Sequence, residues 1–282
     1  MAITKPSLLP ELYLPSRVNQ HWLESGMDSL ELCRDREHYL SYPHKVEYHY
    51  NSRGFRDAEW PDDLADVIWC IGDSFTVGLG SPVEHTWPYI LQQRTGHRTI
   101  NVSMDGASNN WISRIGTAIL LEFPDASIVT HWSFQQRREA AVKEILENRF
   151  PIFYSSVRGP SWPECNKLED LNKLPAGIQE EITQMHRWPH KIYSEERLKH
   201  YDIFSSNTDD VINTQKCMEQ LHGNIIHSAV PNWAHLDNID NFSDVILTAQ
   251  LDYARDGFHY DILTSNSLVD KIIPALALCA TS

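Results

Sequence analysis

The apolar run Val67-Ile68-Trp69-Cys70-Ile71 stops abruptly at Gly72-Asp73-Ser74, and two further glycines stand at Gly78 and Gly80. A short apolar run closed by turn residues reads as a buried strand ending in a tight turn. This constrains the chain strongly, because it sets a hydroxyl side chain at the carboxyl end of a strand, where open α/β sheets bind ligands. Strand, turn and serine together present a nucleophile, although the spacing is not that of a G-x-S-x-G elbow. Gly-Asp-Ser is also a common turn tripeptide, so the chemistry depends on partners elsewhere in the chain.

The rhythm of strand, turn and helix continues toward the carboxyl end. Thr86-Trp87-Pro88 opens a helix, with Thr86 as N-cap and Pro88 in the first turn, and Gly96 closes it. A second strand is expected over 98–103. A helix over 110–123 carries Ile112, Ile115, Ile119 and Leu120 on one face, and a third strand covers 126–132. A helix near 208–222 ends at Gly223, a fourth strand covers 224–230, and a last helix covers 262–279. Alternating strands and helices of this size imply a parallel sheet with helices on both faces, in one domain. Residues 1–60 are read as an N-terminal extension, with a helix over 18–34. Residues 138–207, of which 151–175 are rich in Pro, Ser, Gly, Trp and Tyr, are read as an insertion or lid between the third and fourth strands.

Two segments supply partners for Ser74. In Asp256-Gly257-Phe258-His259 a carboxylate and an imidazole stand three residues apart on a loop. A serine hydroxyl needs a base to take its proton, and imidazole is the usual one near neutral pH. The base in turn needs a carboxylate to fix its tautomer. In Asn101-Val102-Ser103-Met104-Asp105-Gly106-Ala107-Ser108-Asn109 a strand runs into a polar turn, whose glycine lets backbone approach a ligand and offer an N–H to an oxyanion.

These pieces, in this order, resemble the SGNH (GDSL-type) hydrolase family. Gly72 to Gly78 matches the first block, the segment from Asn101 to Ser108 the second, and Asp256 to His259 the last. Tyr50-Asn51-Ser52-Arg53-Gly54-Phe55-Arg56-Asp57 resembles a lead-in found in many bacterial members. The resemblance implies a three-layer α/β/α fold with a flavodoxin-like sheet. It implies Ser74 as nucleophile, His259 as base, Asp256 as its orienting carboxylate, and Ser74 and Gly106 as oxyanion donors. The third block departs: the family's Gly-x-Asn-Asp is replaced by His131-Trp132-Ser133-Phe134-Gln135-Gln136-Arg137. Ser133 is the expected substitute donor, with Gln135 next and the Trp132 indole as the other option. Asp73, Asn109, Gln135 and Arg137 are expected to contact substrate. Acyl esters, often acetyl groups on carbohydrate, are the implied substrates, with no cofactor. Acyl transfer on the same fold and a non-catalytic binding module are the alternative readings.

Composition narrows the partners. Twenty-four basic against 38 acidic residues give a net charge of -14, which argues against nucleic acid and anionic membrane as partners. Residues 1–15 lack an unbroken apolar core, and the longest apolar stretch, 272–280, is too short to span a bilayer, so a cytoplasmic protein is expected. Five cysteines without C-x-x-C spacing suggest free thiols. No metal site is expected. His186 and His190 have zinc-helix spacing, but Pro189 breaks that helix. The oligomeric state is left open.

Overall fold

Residues 68–72, all apolar or glycine, form the strand that organises the rest. A computed structural model describes residues 12–14, 17–24, 28–135, 137–141, 198–202, 208–235 and 239–279. The central sheet has four parallel strands: β1 (Ile68–Gly72), β2 (Thr99–Ser103), β3 (Ser127–Trp132) and β4 (Ile225–Ala229), in the order β2-β1-β3-β4. Every residue of β1 and β2 is buried, as strands covered on both faces must be. Gly72 pairs with Ser103 on one side and His131 on the other, so the carboxyl ends of the three strands are flush.

Helices cover both faces. α1 (Trp87–Thr95) packs against α4 (Ile262–Cys279), and α2 (Asn109–Glu122) against α3 (Thr208–Glu219). The result is a three-layer α/β/α arrangement. α2 buries Ile112, Ile115 and Ile119, and Leu120 packs at the edge of the same core. The Ser108 hydroxyl at the N-cap of α2 accepts from the Trp111 N–H at 3.3 Å. Thr86 occupies the N-cap position of α1, but its hydroxyl donates to the Val83 carbonyl at 2.8 Å and caps nothing.

The helix expected over 18–34 does not form. His21–Trp22 instead pairs antiparallel with Tyr48–His49, and among the described residues of this segment only Leu30–Cys33 forms an α-helix. Pairing across the two segments packs Trp22 on a small core of Val46, Tyr48, Tyr50, Val77 and Leu79, a tertiary gain that the imperfect helical period cannot match. The two ends of the insertion are described: Arg137–Ala141 pairs antiparallel with Leu198–Asp202, and Arg137–Ala141 lies against α2. The residues between, including His186 and His190, lie outside the described residues. No helix among the described residues is long and apolar enough to cross a membrane.

Candidate active site

From β1 the chain runs first to β2 on one side and then crosses to β3 on the other, so the carboxyl ends of β1 and β3 flank the switch point at which open α/β sheets bind ligands. Ser74 stands there, the first residue of a single helical turn, Ser74–Val77. Asp73 caps that turn: its carboxylate accepts from the Phe75 N–H at 3.0 Å. Gly78 ends it at φ 74°, and a Cβ there would sit 2.2 Å from Thr86 Cγ2, so both backbone and space require glycine.

The carbonyls of this turn have a dedicated donor. Buried Arg56 donates Nη1 to the carbonyls of Val77 (3.1 Å) and Gly78 (2.5 Å), and Nη2 to those of Ser81 and Glu47 (both 2.8 Å). A guanidinium carries five donors in a rigid fork, which suits it to such a cluster of acceptors.

His259 comes to Ser74 on the loop before α4. Its Nε2 lies 2.8 Å from Ser74 Oγ, and its Nδ1 lies 2.5 Å from Asp256 Oδ2. Asp256 is oriented from behind: its Oδ1 accepts from the N–H groups of Phe258 (2.9 Å) and His259 (3.0 Å). The loop is held to the N-terminal residues by Arg36, which donates to the Asp256 carbonyl at 2.8 Å. Arg255 donates to both oxygens of buried Asp28, at 2.7 and 2.8 Å. Asp28 also accepts from the Tyr48 hydroxyl at 2.6 Å, and that same hydroxyl accepts from the Gly80 N–H at 2.7 Å. Phe75 packs its ring 4.6 Å from the His259 ring and 5.5 Å from that of Phe258.

Electrostatics reflect this packing. Burial pulls the His259 pKa down, but the charge and hydrogen bond of Asp256 outweigh it and leave the imidazole more basic than usual. Burial pushes Asp256 up, and His259 outweighs that, holding the carboxyl below its usual range.

Gly106 stands just after β2 at φ 72°, with open space where a Cβ would be. Among the described residues neither the Ser74 nor the Gly106 N–H donates to a protein acceptor.

The residues after β3 are placed differently from expectation. Ser133 Oγ donates to Asp73 Oδ2 at 2.6 Å and accepts from Arg137 Nη1 at 3.0 Å. Its N–H goes to Asn109 Oδ1 at 2.8 Å, and its carbonyl accepts from Trp233 Nε1 at 2.9 Å. Every polar group of Ser133 is therefore committed to the protein, and its proton is not aimed at a ligand. To serve as third oxyanion donor, Ser133 would have to turn its hydroxyl away from Asp73. The Trp132 indole N–H donates to His227 Nδ1 at 3.1 Å, on β4, and does not enter the site. Gln135 is fully buried.

Three of the expected substrate contacts turn inward as well. Asp73 is fully buried, between the Phe75 N–H, Ser133 and Arg137 Nη1 at 2.9 Å. Burial pushes its carboxyl up and Arg137 opposes that. Asn109 is fully buried and joins Ser133 to Thr214. Arg137 is half-buried, paired with Asp73, and lies over the Phe134 ring at 4.6 Å. Sequence reasoning misses Arg56, Phe75 and the Asp28–Arg255–Tyr48 chain as site residues. Arg56 stands inside the Tyr50–Asp57 lead-in, Phe75 inside the Gly72–Gly78 block and Arg255 directly before Asp256, which are the signals that could have found them; Asp28 and Tyr48 carry none.

No protein-family model matches the chain, and no curated protein matches it. Among solved structures it is similar to TesA, with 14% identity, a TM-score of 0.36, and coverage of 76% of this chain and 99% of that one. It is similar to a carbohydrate acetylesterase family member from Sinorhizobium meliloti, with 13% identity, a TM-score of 0.33, and coverage of 77% and 100%. The psychrotrophic esterase EstA from Pseudoalteromonas sp. gives the same identity, score and coverage. These likenesses are distant, and the chemistry is read from this chain's own residues.

Proposed function

We propose that the protein is a serine esterase of SGNH type. The observation that carries the reading is the unbroken chain Ser74 Oγ, His259, Asp256, with contacts of 2.8 and 2.5 Å, at the carboxyl end of a parallel sheet. Ser74 attacks the ester carbonyl as His259 Nε2 takes its proton. Asp256, accepting from Nδ1, holds the imidazole in the tautomer with a free Nε2 lone pair and stabilises the imidazolium. The N–H groups of Ser74 and Gly106 receive the oxyanion. His259 then protonates the leaving alcohol, and water, deprotonated by the same imidazole, releases the acid and regenerates Ser74.

With Ser133 committed to Asp73, the site has two backbone donors. One fewer donor costs roughly 10²–10³ in rate in other serine hydrolases, so slow turnover is expected. The Asp73–Ser133–Arg137 cluster instead fixes the turn beneath the nucleophile. An acyl, including acetyl, ester on a small molecule or carbohydrate is the proposed substrate class. The test is hydrolysis of a short-chain aryl ester by the purified protein and by Ser74→Ala; equal rates in the two would remove Ser74 from the reaction.

A further inference from the structure

We propose that His21, Glu47 and His49 form a surface site for a zinc-type divalent transition-metal ion. His21 and His49 are directly opposite in the antiparallel pair, and Glu47 lies two residues before His49, so all three project from one face of the ribbon. His21 Nε2 and His49 Nε2 lie 3.7 and 3.1 Å from the same oxygen, Glu47 Oε2, and the three ligand atoms are all within 4.8 Å of one another. Zinc bonds of 2.0–2.1 Å in a tetrahedron place neighbouring ligand atoms about 3.4 Å apart, and the two distances bracket that spacing. The imidazoles are stacked, with centroids 4.1 Å apart and planes 9° off parallel, so at least one ring must turn out of the stack for both lone pairs to meet one ion, which the exposure of both side chains allows.

The donor set selects the ion. Two imidazoles and one carboxylate suit zinc and its transition-metal neighbours, whereas calcium and magnesium favour all-oxygen sites. One oxygen of Glu47, Oε2, faces both imidazoles, and the other, Oε1, pairs with Lys45. Lys45, 79% exposed, occupies the other carboxylate oxygen and is free to swing into solvent when a metal replaces its charge. The ribbon that carries the site also carries Trp22 and Tyr48, whose core includes Val77 and Leu79 from the segment just after Ser74. Bound metal would therefore clip the N-terminal residues to the flank of the serine turn.

The test is calorimetric titration of the full, chelator-treated chain with zinc chloride, beside the His21→Ala/His49→Ala double variant and Glu47→Gln. Both imidazoles are more than half exposed (51% and 66%), so the variants fold, which circular dichroism checks. The wild type is expected to bind one zinc ion per chain that the double variant lacks, Glu47→Gln is expected to weaken binding by at least about tenfold, and zinc raises the melting temperature of the wild type alone. Cobalt in place of zinc gives visible tetrahedral bands that the double variant loses. Equal zinc binding by wild type and double variant, or no binding by either, overturns the proposal.

Discussion

His259 is charged differently from a solvent histidine, and that has a kinetic consequence. The base must be neutral to accept the Ser74 proton, and Asp256 holds its pKa above the usual value. Activity is therefore expected to be full above that raised pKa and to fall tenfold per pH unit below it, with the acid limb lying above about 6.5. A profile of kcat/KM against pH checks this. Ser74→Ala and His259→Ala should each remove most of the rate, and the double variant little more, because the members act as a unit. Ser133→Ala makes the opposite split. It leaves turnover within a few-fold but destabilises the fold by about 1–3 kcal/mol, since it strips one donor from a buried carboxylate; kcat and chemical denaturation of the same variant read both. Ser74, His259 and Asp256 are legible in the sequence because their residue types sit in short local motifs. The commitment of Ser133 is not, because Asp73, Asn109 and Trp233 reach it from distant parts of the chain and only the folded sheet brings them together.

Among the elements, the serine turn is tied at its end by Arg56, which donates to the carbonyls of Val77 and Gly78. Four buried or half-buried carbonyls lose a charged donor in Arg56→Met, Gly78 keeping the Ser81 N–H at 3.3 Å, and each lost bond to a charged group is worth about 1.5–3 kcal/mol. Loss of several kcal/mol of stability, with loss of activity, is expected from denaturant melts and the ester assay; a variant as stable and active as wild type would show that the turn holds itself. The four strands of the central sheet and the long helices are readable to within one to three residues, because apolar runs and the 3.6-residue period report burial directly, whereas the paired strands Arg137–Ala141 and Leu198–Asp202 are not. The segment 18–34 misleads because its weak period is outcompeted by pairing with Tyr48–His49, a contact that sequence order does not announce. Thr86 does stand at the start of α1, but its hydroxyl finds the nearer Val83 carbonyl.

At the scale of the whole molecule, burial bears on the charge of two histidines among the described residues. Burial lowers His131 to about 3 and His227 to about 4. Unfolded, both would titrate near 6.5. Their contribution to stability is therefore present above about 6.5 and is lost as the pH falls from there toward 4, at up to about 1.4 kcal/mol per pH unit for each group. His131→Asn should flatten the acid side of the stability–pH curve relative to wild type, measured by urea unfolding between about pH 6.5 and 4.5; parallel curves would mean that His131 does not couple. The parallel sheet with helices on both faces is legible from the alternation of elements, and its flavodoxin-like character only through the family resemblance, whereas the ties from Asp28, Arg36 and Tyr48 to the His259 loop join segments far apart in the chain and leave no local mark. Whether Ser74 is an activated nucleophile decides the whole reading of the molecule, and covalent labelling reaches that question without an identified substrate. Incubation with a fluorophosphonate, read by intact mass and peptide mapping, is expected to give one adduct, on Ser74, absent in Ser74→Ala and strongly slowed in His259→Ala. An unlabelled wild-type protein, or labelling that survives Ser74→Ala unchanged, would mean that Ser74 is not the nucleophile.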